Sequence, residues 1–148
     1  MRYRDRNVIR ETSALPHAPA RLVSVVIPTK NAAGHIARTL AAVFDQAPAA
    51  GVKLEVVVAD DGSTDDTAVI ACGAGARVIL LSGPGTQALG GSPAAARSRG
   101  AAAALGDPVV FLDSDHTPAP GWLQAVLADY EAAHDAGAAG SPPGPRAP

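Results

Sequence analysis

Residues 108–115 read PVVFLDSD, a short apolar run that passes without a spacer into Asp113-Ser114-Asp115. Such a run, Pro108–Leu112, predicts a strand buried in a sheet. Two carboxylates one residue apart at the end of a strand can project toward one ligand where the chain turns. Mg²⁺ or Mn²⁺ prefers hard oxygen donors, usually takes only one or two from protein, and fills its shell from phosphate and water. Taken alone, the triplet also reads as an Asx turn capping the next helix, because Asp and Ser are ordinary loop residues.

Working outward, the same strand-then-polar unit recurs upstream. Leu22–Ile27 (LVSVVI), ended by Pro28, predicts a first strand. Ala33–Gln46 then places Ile36, Leu40, Val43 and Phe44 on one face at helical spacing. Leu54–Ala59 (LEVVVA) predicts a second strand, closed by Asp60-Asp61-Gly62-Ser63. Ser63 and Asp66 fit the capping-box pattern and predict a helix from Asp65 to Cys72, stopped by Gly73 and Gly75. Arg77–Ser82 (RVILLS) predicts a third strand, followed by a glycine-rich loop, Gly83–Gly91. Ser92 as N-cap and Pro93 at the first helical position open an alanine-rich helix to Leu105. Downstream of the triplet, Pro120 starts a last helix with Trp122, Leu123, Val126, Leu127 and Tyr130 along one side. Strand and helix therefore alternate four times. The pattern predicts an α/β domain: a Rossmann-like parallel sheet with flanking helices and right-handed crossovers. Ligands of such sheets bind beyond the carboxyl ends of the strands, at a topological switch point. The polar motifs follow strands one, two and four, which is where that rule wants them.

The flanks differ in composition. Residues 1–21 read as a flexible basic leader, most simply a solvated extension, whose Arg2, Arg4, Arg6 and Arg10 could alternatively make peripheral contact with an anionic membrane surface. The leader lacks the apolar middle of a signal peptide. The domain itself is expected over 22–135, and residues 136–148 (AGAAGSPPGPRAP) read as a disordered Pro/Gly tail. No apolar stretch approaches the roughly 20 residues of a transmembrane helix. Twelve basic against 14 acidic side chains give a formal charge of −2, and aromatic residues make up 3%. No basic field or stacking platform for nucleic acid results, so no nucleic-acid partner is expected. Cys72 is the only cysteine, which leaves no intrachain disulfide. A cytoplasmic chain, within reach of the inner membrane surface through its leader, is the simplest reading.

Each remaining motif carries two readings. At Asp60-Asp61-Gly62-Ser63 a carboxylate could accept hydrogen bonds from a base N–H or a ribose hydroxyl, with Gly62 allowing close backbone approach; the segment is also a turn with an N-cap. Pro28-Thr29-Lys30-Asn31 could surround a base with backbone and Asn31 amide groups, or simply turn. The glycine-rich loop offers a Walker A spacing from Gly85 to Ser92, but Gly91 stands where the phosphate-reaching lysine belongs. It also offers a dinucleotide fingerprint from Gly83 to Ala88, yet Gly90, Gly91 and Pro93 postpone the helix that must begin inside it. A nicotinamide-dinucleotide protein is therefore disfavoured. What remains is a loop before a helix carrying Arg97 and Arg99, one a phosphate partner and the other a solvated arginine. His116 is either a ligand, a proton carrier or an ordinary loop histidine, and Trp122 reads as core packing.

Taken together, VSVVIPTKN, LEVVVADDGSTDDT, SPAAARSRG and VVFLDSD with PAPGW after it resemble the family-2 glycosyltransferases with a GT-A fold. Four motifs in order cover most of the chain. The resemblance implies the nucleotide-binding half of that fold, a nucleoside diphosphate sugar as donor, an acceptor hydroxyl of unknown identity, and transfer with inversion at the anomeric carbon. Carried over by position, Asp115, with Asp113, would hold a divalent metal (Mg²⁺ or Mn²⁺). Asp113, Ser114 and Arg97 would lie beside the donor, while Pro28, Thr29, Asn31 and Asp61 would line the nucleoside pocket. In the family the acceptor site and general base lie on a segment after the acidic triplet. This chain ends soon after Asp115, so no base can be nominated. An enzyme completed by a partner or missing segment, and a truncated remnant that only binds nucleoside diphosphate or is unstable, are the two readings that follow.

Overall fold

The computed structural model describes residues 20–82 and 91–138. Residues 1–19 of the basic leader, 83–90 of the glycine-rich loop and 139–148 of the tail lie outside the described residues. The four expected strands are present as β1 (Leu22–Thr29), β2 (Lys53–Asp60), β3 (Arg77–Leu80) and β4 (Val109–Phe111). They form one sheet in the order β3-β2-β1-β4, and every pairing is parallel. Parallel strands buried on both faces read as unbroken apolar runs, which is why β1 and β2 were legible in the sequence.

Pro28 does not end β1. The strand continues through it to Thr29, with Pro28 opposite Ala59 of β2. The reason lies in the ladder. The Val26 carbonyl accepts from Leu112 N–H on the β4 side, whereas the Thr29 carbonyl accepts from Asp61 N–H on the β2 side. Alternation therefore turns the missing N–H of Pro28 toward β4, whose pairing with β1 stops at Val26 and Phe111, so no ladder bond is lost.

On one face, α1 (Ile36–Phe44) and α3 (Thr67–Gly73) cover Val25, Ile27, Val56 and Val58, with Ile36, Leu40, Val43 and Ala71 as the facing core residues. A short α2 (Ala47–Ala50), separate from α1, and the long α5 (Trp122–Ala138) extend this layer around Val23 through Leu123 and Leu127. On the other face α4 (Pro93–Ala103) packs across β1 and β2. Gly100 is what lets it come so close: a Cβ there would overlap the Val26 side chain. The chain thus places α1 and α3 on one face and α4 on the other. β4 returns beside β1, and the order reverses between β1 and β4.

Some helix boundaries differ from expectation. The capping box at Ser63 and Asp66 is not formed: Asp66 occupies the N-cap position without a side-chain cap bond, and the Ser63 hydroxyl donates to Asp60 Oδ1 at 2.7 Å. Asp65 serves the first turn of α3 instead, accepting from Thr67 N–H at 3.0 Å. Gly73 closes α3 rather than stopping it, and the chain leaves through Gly75, at φ +94°. α4 ends at Ala103, short of Leu105, because Leu105 N–H turns away to Glu55 at 2.8 Å. α5 runs through Ala136, Gly137 and Ala138, into the stretch read as tail, since alanine favours continuation of a helix already anchored by Leu123 and Leu127.

Candidate functional site

Beyond the carboxyl ends of β1, β2 and β4 lies a cleft of about 440 Å³. Pro28, Thr29 and Lys30 come from the end of β1, Asp61 from the end of β2, and Asp113 and Ser114 follow β4. Gly91, Ser92, Pro93, Ala96 and Arg97 at the start of α4 complete it. The position is the switch point of the sheet, where two adjacent strands send their chains to opposite faces.

Six of the expected site residues line this cleft: Pro28, Thr29, Asp61, Arg97, Asp113 and Ser114. Asn31 is not among them. It sits at φ +51°, and its side-chain Oδ1 accepts from the N–H (2.8 Å) and hydroxyl (3.2 Å) of Thr64. Its own N–H donates to the Ser63 hydroxyl at 2.8 Å. Asn31 therefore ties the loop after β1 to the loop after β2 through its side-chain carbonyl oxygen and its backbone N–H.

The acidic run after β2 divides its labour by position. Asp60, 2% exposed, accepts from the N–H and hydroxyl of Ser63 and holds the turn. Asp61 faces the cleft, accepting from the Ser82 hydroxyl at 3.3 Å and from Gly91 N–H at 3.2 Å. Asp65 bridges to the first loop, accepting from Ala33 N–H at 3.1 Å as well as from both polar groups of Thr67. The Thr67 hydroxyl bond is the largest influence on Asp65; with the backbone N–H groups it outweighs burial and holds the carboxyl below its usual range. Buried Thr67 in turn accepts from Ala32 N–H at 2.7 Å.

Thr29 differs from all of these. It is 5% exposed, and its hydroxyl has no hydrogen-bond partner among the described residues. Buried polar groups are almost always paired, so this hydroxyl on a cleft-lining residue calls for a partner beyond those described, which a ligand atom or water could supply.

Arg97, from the first turns of α4, reaches Asp113 Oδ1 at 2.8 Å. Arg97 and Asp113 are each about half exposed, so the pair shapes the cleft wall more than it stabilises the fold. α4 begins on Ser92 as expected, its hydroxyl accepting from Ala95 N–H at 3.1 Å. Arg99 is exposed and does not line the cleft, which makes Arg97 the phosphate-side candidate of the two.

The acidic loop is held from below by side chains that sequence patterns did not single out. Buried Thr39 donates to the Ser114 carbonyl at 2.9 Å, and buried Gln46 donates to the Ala119 carbonyl at 3.1 Å. Both sit on or just after the apolar stripe of α1, where a polar residue in a buried row was the available signal. Lys30, quoted within its motif but not singled out, also lines the cleft. Trp122 packs between two core clusters, as its apolar setting suggested.

At the rim, Asp113, Asp115 and His116 each bring one ligand-type atom within 4.8 Å of the others, and all three are exposed. Two carboxylates and an imidazole suit a divalent ion that keeps water and phosphate in the rest of its shell. The donor set present thus fits a metal. No helix among the described residues is long and apolar enough to cross a membrane.

Residues 24–147 match the family model described as glycosyl transferase family 2. A pre-mycofactocin glycosyltransferase of Mycobacterium tuberculosis is 36% identical over 134 residues, covering 84% of this chain and 25% of that protein. A validoxylamine A glucosyltransferase of Streptomyces hygroscopicus subsp. jinggangensis is 39% identical over 117 residues, covering 79% of this chain and 27% of that protein. Among solved structures, glucosyl-3-phosphoglycerate synthase from Mycobacterium tuberculosis, in complex with Mn²⁺, uridine diphosphate and glucosyl-3-phosphoglycerate, superposes with a TM-score of 0.63 at 32% identity. That match covers 74% of this chain and 39% of the other. The chain spans about a quarter of the length of these two curated relatives.

Proposed function

The chain belongs to glycosyl transferase family 2, and from that premise we propose that its cleft is the donor side of a metal-dependent, inverting sugar transfer from a nucleoside diphosphate sugar to an acceptor hydroxyl. The observation that carries this reading is the convergence, at the switch point, of a buried unpartnered hydroxyl (Thr29), a carboxylate (Asp61), an arginine (Arg97) and a metal-suited donor set. In this reading Asp61 accepts from a nucleobase N–H or a ribose hydroxyl, and Thr29 satisfies its hydroxyl on the nucleoside. Arg97 and Lys30 face the diphosphate. Asp115 and Asp113 hold a divalent ion, which supplies positive charge to the diphosphate as it departs. In the transfer the acceptor oxygen forms a bond to the anomeric carbon while the bond to the diphosphate breaks. The nucleoside diphosphate leaves with the electron pair, and a base removes the acceptor proton. No residue described here is assigned as that base.

A narrower reading, binding of nucleoside diphosphate without turnover by this stretch alone, is favoured by the short span of the match relative to the curated relatives. Calorimetry with uridine diphosphate and other nucleoside diphosphates, with and without Mn²⁺, tests the shared part of both readings. Metal-dependent binding abolished by Asp115→Ala is the expected result, and binding indifferent to metal and to Asp115 would refute it. Turnover of a labelled sugar nucleotide then separates catalysis from binding alone. The basic leader as a peripheral membrane contact is a separate proposal; co-sedimentation with anionic vesicles should be lost when Arg2, Arg4, Arg6 and Arg10 become glutamine.

A further inference from the structure

Building on the donor-and-metal reading above, we propose that His116 supplies a nitrogen ligand to the divalent ion held by Asp113 and Asp115, and that this ligand biases the site toward Mn²⁺ and away from Mg²⁺.

The local turn creates the juxtaposition. His116 N–H donates to the Asp113 carbonyl at 3.1 Å, folding residue 116 back over residue 113. Its ring Nδ1 then stands 3.1 Å from Asp115 Oδ1 and 3.9 Å from Asp113 Oδ2. A six-coordinate ion with ligands at about 2.1 Å sets neighbouring donor atoms about 3 Å apart and opposite ones about 4.2 Å apart. The two distances to the His116 nitrogen fall in that range, and all three ligand-type atoms lie within 4.8 Å of one another. Asp113 divides its two oxygens: Oδ1 is taken by Arg97 at 2.8 Å, which leaves Oδ2 on the His116 side. The same Asp113 lines the cleft together with Thr29, whose buried hydroxyl has no partner among the described residues, an independent sign that this end of the sheet takes a ligand.

Chemistry gives the preference. Mg²⁺ is hard, dehydrates reluctantly and takes oxygen, whereas first-row transition ions accept imidazole nitrogen readily. Two aspartates alone would offer an all-oxygen set. The histidine adds the donor that Mg²⁺ uses least. The competing role for His116 is a side chain that merely contacts the two carboxylates and stays off the ion when metal enters.

Pulsed electron paramagnetic resonance of Mn²⁺ on the full chain, with uridine diphosphate present, separates these roles. A nitrogen hyperfine coupling is expected, and it should change with uniform ¹⁵N labelling of the protein, which excludes the nucleotide as its source. His116→Gln should remove the coupling and weaken Mn²⁺ about tenfold, while the Mg²⁺ affinity, read by displacement of Mn²⁺, changes less than about twofold. The ring is 67% exposed, so this substitution disturbs no packing. Bound Mn²⁺ without nitrogen coupling, or His116→Gln weakening both ions alike or neither, would overturn the proposal. If Asp115→Asn abolishes both ions in those cases, the donor-and-metal reading still stands. If neither ion binds the unaltered chain and uridine diphosphate binding ignores metal, that reading fails and this proposal fails with it.

Discussion

The two ends of the sheet treat polar groups in opposite ways. At the amino ends, Glu55 sits at the centre of a closed knot. Its Oε2 accepts from the Ser24 hydroxyl and from Leu105 N–H at 2.8 Å, and its Oε1 pairs with Arg77 at 2.8 Å. The Ser24 hydroxyl accepts from Gly106 N–H at 2.8 Å, and Arg77 also reaches the Ala103 carbonyl. Every element that meets at that end is tied in, and the Glu55 side chain is only 12% exposed. At the carboxyl ends, Asp113 and Asp115 stay open to solvent, and Thr29 keeps a buried hydroxyl with no partner among the described residues. A buried polar group that is satisfied internally holds the fold together. One left unsatisfied weakens the fold and awaits a ligand. The amino ends thus close their polar groups inward, while the carboxyl ends leave some of theirs open beside others that are satisfied.

Four substitutions would break or sharpen that contrast. The largest effect is expected from Asp113→Asn, which removes the Arg97 ion pair and a carboxylate proposed to hold the metal. Metal-dependent affinity for uridine diphosphate, measured by calorimetry, should fall about a hundredfold, roughly 2.7 kcal/mol, with an unchanged melting temperature. A large loss of stability instead would mean that the open end is structural after all.

Glu55→Gln should do the reverse: destabilise the fold by about 2 kcal/mol in urea titrations while leaving nucleotide affinity intact. Burial pushes the Glu55 carboxyl up, but the Leu105 N–H, the Ser24 hydroxyl, the Arg77 guanidinium and Gly106 N–H together hold it below its usual range. Because the folded value is depressed, its contribution is fully present above the unfolded carboxylate value of 4.5. That contribution is lost as pH falls through the folded value. The stability gap between the two proteins should therefore be flat near neutrality and close in acid; a gap that widens in acid would contradict the knot.

Gly100→Ala probes the link between the ends, since α4 runs from Arg97 at the cleft to Ala103 at the knot. Its methyl group would overlap Val26, and a cost of about 1–2 kcal/mol in thermal unfolding is expected. A neutral outcome would show that α4 can slide without loss. The smallest effect belongs to Thr29→Val. Deleting an unpaired hydroxyl should leave stability unchanged or raise it by up to about 1 kcal/mol, while nucleotide affinity drops about tenfold or less. Should stability fall instead, the hydroxyl has a partner in the free protein.

Much of the fold was legible because parallel strands covered on both faces must be apolar without interruption, as in Val23–Ile27 and Val56–Ala59. The Ser92 cap and the Ile36, Leu40 and Val43 stripe were readable for equally local reasons. The candidate site was legible in part. Its motifs stood at the ends of strands, but which member of each motif faces the cleft did not follow from composition. Asn31 belongs to the right segment, yet its side-chain oxygen is turned to Thr64 rather than to the cleft lining. Thr39 and Gln46 were invisible as supports, because their partners, Ser114 and Ala119, lie far along the chain.

By itself, then, the sequence determined the alternation of strand and helix, the family, and the three strand ends that carry polar residues. These depend on short-range pattern, period and turn chemistry. Only the tertiary structure decided that Asp60 turns back to Ser63 while Asp61 meets Ser82 and Gly91, that Arg97 pairs with Asp113, and that His116 folds onto the two aspartates. The Glu55 knot and the orphan hydroxyl of Thr29 belong with these. The Asp61, Arg97 and Glu55 contacts depend on strand order and on how α4 lies across the sheet, and so on residues distant in the chain. The folding of His116 onto the aspartates is a local turn whose geometry the residue types alone do not fix.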